Sequence, residues 1–236
     1  MSIKNLGIIG GGQLGSMLAT AAKKLKIKTI IFSDDSNSPG QIFSDEFVSG
    51  DYNDLSKIKE FTSKVDLITF EFENIPYETL KKLNDLKKVI PKPEINKIIQ
   101  NRLSEKDFLN NLGIKTTDYK FIQNQEDIKK NSNLIPGILK TCTLGYDGKG
   151  QYKINKLDEI EKLKINFQQK YILEKLVNLK KEISVIITRF GNNKFEIYEP
   201  IENTHQDQIL NHSKIPAEIS KKILNQSKDW ATTIAE

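Results

Sequence analysis

The stretch IIGGGQLGSM, residues 8–17, decides the fold of this chain. Gly10, Gly12 and Gly15 have the spacing G-x-G-x-x-G that follows the first strand of many doubly wound α/β sheets. An apolar segment precedes the glycines and a helical pattern follows them, so the stretch predicts a strand, a tight turn and a helix. The spacing alone leaves two interpretations open, a dinucleotide site and a plain turn. Asp34 and Asp35 lie about 20 residues further on, where dinucleotide folds place a ribose-binding acid.

Residues 1–93 alternate between strand and helix patterns, which predicts an N-terminal Rossmann-like domain with a parallel, doubly wound sheet. Pro91 and Pro93 mark its end. The predicted strands are 3–9, 28–32, 46–49, 65–73 and 89–90, and the predicted helices are 13–25, 55–63 and 76–86.

The remaining sequence predicts two smaller subdomains. Residues 94–177 mix strands and helices and indicate a small α+β lid subdomain, and residues 178–236 begin an antiparallel-sheet subdomain. In the lid subdomain we expect helices at 94–100, 104–112, 125–132 and 156–166, and strands at 119–122, 136–140, 151–154 and 170–174. After it we expect an antiparallel pair at 182–190 and 194–200 turned by residues 191–193, a continuing segment at 201–206, and a helix at 216–235.

The composition excludes several classes of function. The net charge is +5, but the basic residues are scattered lysines, and Arg102 and Arg189 are the only arginines. Because arginine clusters usually carry phosphate and base recognition, we expect no nucleic-acid partner. No apolar run is long enough to span a membrane, the first residues lack a signal-peptide pattern, and the single cysteine, Cys142, cannot form an internal disulfide. These features predict a cytoplasmic protein.

The segment ITFEFENIP, residues 68–76, indicates a polar site. Read as a strand, it places Glu71 and Glu73 on one face and Phe70 and Phe72 on the other. Asn74 adds an amide at the carboxyl end of this strand, where open α/β sheets bind ligands. The alternative is a solvated strand end.

The segment LKTCTLGYDGKGQ, residues 139–151, indicates a phosphate-binding loop. Lys140 ends a strand, and a loop rich in glycine follows, with Lys149 as a second cation. Glycines free backbone N–H groups for phosphate, although no G-K-[ST] sequence completes a P-loop. This layout suits a lid over a nucleotide triphosphate, and the alternative is a long hairpin loop.

Two acids follow in the next strands. Glu174 ends a strand in YILEKLV (171–177), and Glu182 lies in KEISVII (181–187). Backbone groups beside Glu174 could read an adenine edge and Glu182 could hold a ribose hydroxyl, but strand-end acids are also common without a function. His205 and His212 lack nearby ligands in metal-binding spacing, so we expect no metal site there.

In this order, the segments resemble the ATP-grasp ligases, and among them those that carboxylate aminoimidazole ribonucleotide in purine biosynthesis. The resemblance runs through the whole chain and is carried by GIIGGGQLGSML, FEFENIP, LGYDGKGQ, EKLVNLKKEISV and YEPIENTHQDQIL, among other stretches. It implies an α/β ATP-grasp fold and a reaction in which ATP activates bicarbonate as carboxyphosphate, with Mg²⁺ as a cofactor. It also implies a possible homodimer.

The resemblance further implies roles for individual residues. The residues implied at the ATP site are Arg102, Lys140, Gly145, Tyr146, Asp147, Gly148, Lys149, Gly150, Gln151, Glu174, Lys175, Leu176, Val177, Glu182 and His205. Those implied to face the ribonucleotide and bicarbonate are Gln13, Leu14, Glu73, Asn74 and Tyr146, with Asp147 and Lys149 in catalytic roles. Cys142 stands where the family usually has a basic residue.

The family continues beyond the length of this chain, and the resemblance places its Mg²⁺ ligands in that further part. We therefore expect no metal ligands within these residues and a fragment that binds nucleotide without turnover. Three alternatives stay open: an NAD-dependent oxidoreductase, another ATP-grasp ligase of purine or biotin metabolism, and a degenerate ATP-binding module.

Overall fold

The structure is a computed structural model that describes residues 3–145, 149–191, 194–207 and 209–236. It divides into two compact units, Met1–Gln100 and Asn101–Glu236, called here the first and second units. Within the described residues, no helix has the length and apolar character needed to cross a membrane.

The first unit alternates strands and helices, as the sequence predicts. Its strands are β1 (Asn5–Ile9), β2 (Lys28–Ser33), β3 (Glu46–Ser49) and β4 (Leu67–Phe70). Its helices are α1 (Gln13–Lys24), α2 (Gly40–Phe43), α3 (Leu55–Ser63), α4 (Tyr77–Leu86) and α5 (Pro93–Ile99).

The four strands form a parallel sheet in the order β3-β2-β1-β4, and apolar residues cover both of its faces. Neighbouring residues of a strand point to opposite faces. Accordingly Ile8 joins Ala19 of α1 in one buried cluster, whereas Ile9 joins Phe61 of α3 and Leu83 of α4 in the other. Burial on both faces is the doubly wound arrangement, so the predicted fold class is confirmed for this unit.

Helix α1 packs through small residues. Gly15, Ser16, Ala19 and Ala22 are its buried positions, whereas the larger Leu14 and Met17 are 56% and 59% exposed. A methyl group on Gly15 would lie only 2.3 Å from the carbonyl oxygen of Gly10, so the first turn of the helix lies directly on the glycine loop.

Two predicted strands of the first unit are shorter in the structure. The predicted strand 65–73 pairs only at Leu67–Phe70, because its partner β1 ends at Ile9 and the chain turns at Gly10, where φ is +101°. Glu71 and Glu73 therefore do not share a strand face, which corrects the prediction. The predicted strand at 89–90 is a single bridge between Val89 and Ile68.

The second unit begins with a four-stranded antiparallel sheet in the order β5-β8-β6-β7. Ile122, Leu139, Ile154 and Tyr171 are among the residues of its buried cluster. Its strands are β5 (Tyr119–Ile122), β6 (Gly137–Thr141), β7 (Gln151–Ile154) and β8 (Tyr171–Lys175). Its helices are α6 (Arg102–Asn111) and α7 (Gln125–Lys130), with 3₁₀ turns at Ser132–Leu134 and Leu157–Lys162. The predicted helix 156–166 is thus one short 3₁₀ segment.

The rest of the second unit contains a three-stranded sheet, β13-β12-β9, and a separate pair, β10-β11. These elements are β9 (Glu182–Ser184), β10 (Ile187–Phe190), β11 (Lys194–Ile197), β12 (Ile201–Gln206), β13 (Ile209–Lys214) and α8 (Lys221–Ala235). The predicted strand 182–190 is therefore two strands in two sheets, and β13 is an additional strand. The predicted turn includes Asn192 and Asn193, which lie outside the described residues.

Candidate functional site

The first candidate site is a buried carboxylate between two lysines in the second unit. Glu174 at the end of β8 is 7% exposed. Its Oε2 atom lies 2.8 Å from Nζ of Lys140 on β6, and its Oε1 atom lies 3.3 Å from Nζ of Lys106 on α6. A carboxylate that leaves water needs such partners, because burying it unpaired is costly. We call these three residues the lysine–glutamate cluster.

Lys106 is the member of this cluster that the sequence interpretation did not single out. It lies four positions after Arg102 on α6, so the two side chains share a helix face. The four-residue spacing from Arg102 was the signal available in the sequence. Only the packing of α6 beside β8 shows that Lys106 meets Glu174. Lys106 also lies over the ring of Tyr119, 5.4 Å from its centroid.

Arg102 holds the start of the second glycine-rich loop, which runs from residue 142 to 150 between β6 and β7. Its Nη1 donates to the carbonyl of Thr141 at 2.9 Å and its Nη2 to that of Gly145 at 2.6 Å, while its backbone N–H donates to Cys142 at 2.9 Å. Arg102 is the first residue of α6, and its side chain is bonded to this loop.

The loop returns to the same strand end. The N–H of Thr141 donates to the carbonyl of Gly150 at 2.9 Å, and Gly150 has a φ of +71° with the Thr141 side chain against it. Gln151 then begins β7 and pairs with Lys140.

The resemblance also places residues between these two strands in the site. Lys149 lies in the turn, whereas Tyr146, Asp147 and Gly148 lie outside the described residues.

Cys142 is 3% exposed beneath the loop, and burial raises the pKa of its thiol, with Arg102 and Lys170 acting in the opposite direction. A buried thiol of raised pKa is a poor nucleophile.

The segment after Glu174 is already bonded through part of its backbone. The N–H of Lys175 donates to Asp118 and that of Leu176 to Pro136, both at 2.9 Å. These two N–H groups are therefore not free to bind a ligand, whereas Val177 is 51% exposed.

Glu182 and His205 are brought together by the pairing of β9 with β12. His205 Nδ1 lies 3.5 Å from Glu182 Oε2, so a protonated imidazole would form an ion pair with this carboxylate. Among the described residues, no group of three or more His, Cys, Asp or Glu side chains is arranged to hold a metal ion.

The second candidate site is the glycine loop of the first unit. Gln13 and Leu14 begin α1 with exposed side chains, Glu73 is exposed, and Asn74 is half-buried. The turn at residues 73–75 is fixed by Gln100, whose Nε2 donates to the carbonyl of Glu73 at 2.6 Å.

Glu71, rather than Glu73, is the carboxylate at the glycine loop itself. Its Oε1 lies 2.9 Å from where a Cβ on Gly10 would be and 3.6 Å from where one on Gly15 would be. Burial raises the pKa of Glu71, and the Gly15 N–H partly offsets that effect. The sequence interpretation named Glu71 in the motif but assigned the substrate contact to Glu73.

The acids expected to hold a dinucleotide ribose are engaged locally. Burial, and then the neighbouring Asp34 carboxylate, raise the pKa of Tyr52, so Asp34 and Tyr52 are close neighbours. The carboxylate of Asp35 accepts the backbone N–H of Asn37 at 2.9 Å. The residues that would read a dinucleotide at this loop thus have partners within the first unit, which disfavours an NAD-dependent oxidoreductase.

The first unit is a parallel-sheet domain with a glycine loop, and the second contains an antiparallel sheet with two lysines around a buried carboxylate. The chain belongs to the ATP-grasp family: the ATP-grasp domain model matches residues 107–236. The ribonucleotide synthetase preATP-grasp domain model matches residues 3–100. The predicted resemblance and the predicted fold class are thereby confirmed.

Two proteins of similar sequence are N5-carboxyaminoimidazole ribonucleotide synthases. The chain is 35% identical to the N5-carboxyaminoimidazole ribonucleotide synthase of Bacillus subtilis and 38% identical to that of Brucella melitensis, each over 98% of this chain. It spans 62% and 64% of the length of these relatives. The crystal structure of N5-carboxyaminoimidazole synthetase from Staphylococcus aureus complexed with ADP matches with a TM-score of 0.91 and 33% identity, over 98% of this chain and 62% of that one.

Proposed function

We propose that this chain supplies the nucleotide site and the glycine loop of an N5-carboxyaminoimidazole ribonucleotide synthase. The reaction is an ATP-dependent carboxylation of 5-aminoimidazole ribonucleotide with bicarbonate through carboxyphosphate, in purine biosynthesis. The observation that carries the proposal is the lysine–glutamate cluster within an ATP-grasp domain, supported by relatives of that function at 35% and 38% identity.

The cluster suits a nucleotide triphosphate. Phosphoryl transfer depends mainly on positioned charge, and the partly exposed ammonium groups of Lys140 and Lys106 supply two positive charges beside the glycine-rich loop. Arg102 fixes the loop that would close over the phosphates. Glu174, an acceptor, could bond an amino group of the base, and Glu182 could bond a ribose hydroxyl.

In the first unit, Gln13, Leu14, Glu73 and Asn74 would face the ribonucleotide, as the resemblance implies. Asp147 and Lys149 would act at the reacting groups, with Asp147 accepting a proton from the amine. A Mg²⁺ requirement, homodimer formation and a cytoplasmic location belong to the same proposal. The described residues provide no cluster of three metal ligands, so no step is assigned to Mg²⁺ here.

Calorimetric titration of the chain with ATP tests the nucleotide site. We expect saturable ATP binding and none with NAD, and we expect Lys140→Met to weaken ATP binding by about 10-fold or more, because it removes a charge-assisted hydrogen bond. Lys120→Met is the matched control, since Lys120 is an exposed lysine of the same sheet on β5. Saturable NAD binding without ATP binding would overturn the proposal.

An ADP-release assay with bicarbonate and 5-aminoimidazole ribonucleotide tests turnover. ADP formation that requires both compounds supports the carboxylation, whereas ADP formation with a different acceptor only would assign the chain to another ATP-grasp ligase. ATP binding without ADP release under any of these conditions would support the degenerate ATP-binding module.

A further inference from the structure

Tyr119 is an aromatic residue that contacts the lysine–glutamate cluster. It lies directly opposite Glu174 in the antiparallel pair of β5 and β8, and the side chains of opposite residues lie on the same face of a sheet. The Nζ atom of Lys106 lies 5.4 Å from the centroid of the Tyr119 ring and 3.3 Å from Oε1 of Glu174. The ammonium group of Lys106 therefore contacts both members of this strand pair.

The hydroxyl of Tyr119 is bonded to the helix that carries Lys106. It donates to Oδ1 of Asp107 at 2.5 Å and accepts from Nδ2 of Asn110 at 3.1 Å, and both residues belong to α6. Burial and, next, the bond to Asp107 raise the pKa of Tyr119, so the hydroxyl keeps the proton that it donates. The orientation of the ring and the position of Lys106 are thus both determined by α6.

Lys106 has a weaker hold on the carboxylate than Lys140 has. Glu174 lies 2.8 Å from Nζ of Lys140 but 3.3 Å from that of Lys106, although the Lys106 side chain is only 14% exposed. A lysine ends in a compact charge on a flexible stem, so one long ion pair leaves it several conformations. An aromatic ring within about 6 Å of an ammonium attracts it, and more strongly where water is excluded. The ring of Tyr119 supplies this second contact.

We propose that Tyr119 is a positioning residue of the nucleotide site: its ring places the ammonium of Lys106 in the lysine–glutamate cluster, and it affects nucleotide binding through that lysine. This role rests on the proposed function, because it takes the cluster as part of the ATP site. A neutral ring holds the ammonium without cancelling its charge, as a second carboxylate would. Two lysines around one carboxylate therefore keep a net positive charge for the phosphates.

A double-mutant cycle measured by calorimetric titration with ATP tests this role. Tyr119→Leu removes the ring and should weaken ATP binding by about 3- to 10-fold, as expected for loss of a partly desolvated cation–π contact. In a Lys106→Met background the same substitution should have no further effect, because the lysine through which the ring acts is absent. Tyr119→Phe keeps the ring and should retain most of the affinity.

NMR of the chain labelled with [ε-¹³C]lysine measures the position of Lys106 without nucleotide. A methylene group that lies over an aromatic ring has its proton resonance shifted upfield, and the Lys106→Met spectrum identifies the Lys106 signal. We expect this signal upfield of that of the exposed Lys120 in the natural sequence and in Tyr119→Phe. In Tyr119→Leu the upfield shift should be lost.

Tyr77→Leu is the control, because it removes a contact of the same kind elsewhere in the chain. The Nζ atom of Lys97 lies 5.1 Å from the centroid of the Tyr77 ring, in the first unit. This substitution should change neither the ATP affinity nor the Lys106 signal.

Three results would overturn the role of Tyr119: an ATP affinity unchanged by Tyr119→Leu, an equal loss of affinity with and without Lys106, or a Lys106 signal that Tyr119→Leu does not move. Should Tyr119→Leu fail to fold, a Lys106 signal in the natural sequence that coincides with that of Lys120 would have the same meaning. A natural sequence that binds no ATP contradicts the proposed function, whereas the Lys106 signal still decides whether Tyr119 positions this lysine.

Discussion

Glu174 shows how much one residue can depend on its partners. Its carboxylate is almost fully buried, and two ammonium groups lie within 3.3 Å of its oxygens. Replacing either partner by an apolar group leaves the pair incomplete, and replacing Glu174 leaves two like charges close together. The stability of the β6–β8 region and the position of Lys140 therefore depend on the same carboxylate.

We expect Glu174→Gln to lower the free energy of unfolding by about 2–3 kcal/mol, below the range for a fully buried pair because both lysines are partly exposed. Urea denaturation followed by the far-UV signal measures the change. Glu161→Gln, at an exposed position of the same unit, is the control and should be neutral. A neutral Glu174→Gln would mean that the cluster contributes no net stability.

Gly15 is a residue at which packing and helix propensity oppose each other. Alanine inside a helix is more favourable than glycine by about 1 kcal/mol. A Cβ at Gly15, however, would lie 2.3 Å from the backbone oxygen of Gly10, which cannot move aside like a flexible side chain. The packing cost should therefore exceed the gain in propensity.

We predict that Gly15→Ala destabilises the first unit by about 2 kcal/mol or more. Gly12→Ala is the matched control, because its Cβ would meet only Glu71 Oε1, at 3.7 Å, and should cost about 1 kcal/mol or less. Thermal unfolding of the two variants in parallel gives the comparison. Equal shifts in Tm would show that the close approach of Gly15 to the Gly10 oxygen does not determine the stability of the first unit.

At the scale of elements, the N-terminal end of α6 positions two cations of the proposed nucleotide site. Its N-cap residue is Asn101, whose Oδ1 accepts the N–H of Leu103 at 3.0 Å and that of Ser104 at 3.3 Å. The helix begins at Arg102, which holds the glycine-rich loop, and carries Lys106 one turn later. Fraying of this first turn would displace both cations.

Asn101→Ala should lower the free energy of unfolding by about 1 kcal/mol, the usual contribution of such a cap. It should also weaken ATP binding, since Arg102 is the first helical residue. Asn101→Asp retains an acceptor and should restore both properties. Loss of stability with unchanged ATP affinity would separate the cap from the nucleotide site.

The elements also show what a single sequence can predict. The predicted helix 55–63 matches α3, because capping and periodicity are local properties. The carboxylate of its N-cap residue, Asp54, accepts the N–H groups of Ser56 and Lys57. The end of β4 is not local: Phe70 is the last residue that pairs with β1, and the chain leaves the sheet because β1 has turned away at Gly10. Strand β13 is exposed throughout, so no apolar alternation marked it.

The candidate sites, too, could be predicted only where they depend on local sequence patterns. The motif containing Lys140 and the strand end at Glu174 could be recognised from sequence, because each belongs to a short pattern. Lys106 could not be linked to Glu174 in that way, since their contact depends on how α6 packs beside β8. The direction of the Glu71 side chain depended on where β4 ends.

For the whole molecule, burial is unevenly distributed along the chain. Both sheets β3-β2-β1-β4 and β5-β8-β6-β7 have clusters of fully buried aliphatic and aromatic residues. Among the described residues after 177, Ala231 is the one buried hydrophobic residue, and Phe190, Tyr198 and Ile215 are 49%, 61% and 65% exposed. Regions with little buried apolar surface open at lower free-energy cost.

Hydrogen–deuterium exchange followed by mass spectrometry should reveal this difference. We expect peptides from β10 to β13 to exchange at least about 10-fold faster than peptides from β1, β2, β6 and β8. The internal control is β7, a strand at the edge of its sheet that still contributes the buried Ile154. Equal protection across these strands would show that residues 178–236 gain stability from interactions other than apolar burial.

The attachment of the second glycine-rich loop has a consequence for the entropy of binding. Arg102 bonds the carbonyl of Gly145, and Thr141 bonds that of Gly150, so the backbone is fixed on both sides of residues 146–149 before any ligand arrives. Fixing the backbone of one residue costs about 1–2 kcal/mol in lost conformational freedom. Since Gly145 and Gly150 have already lost this freedom during folding, a ligand that contacts them does not have to order them, and more of its contact energy remains as affinity.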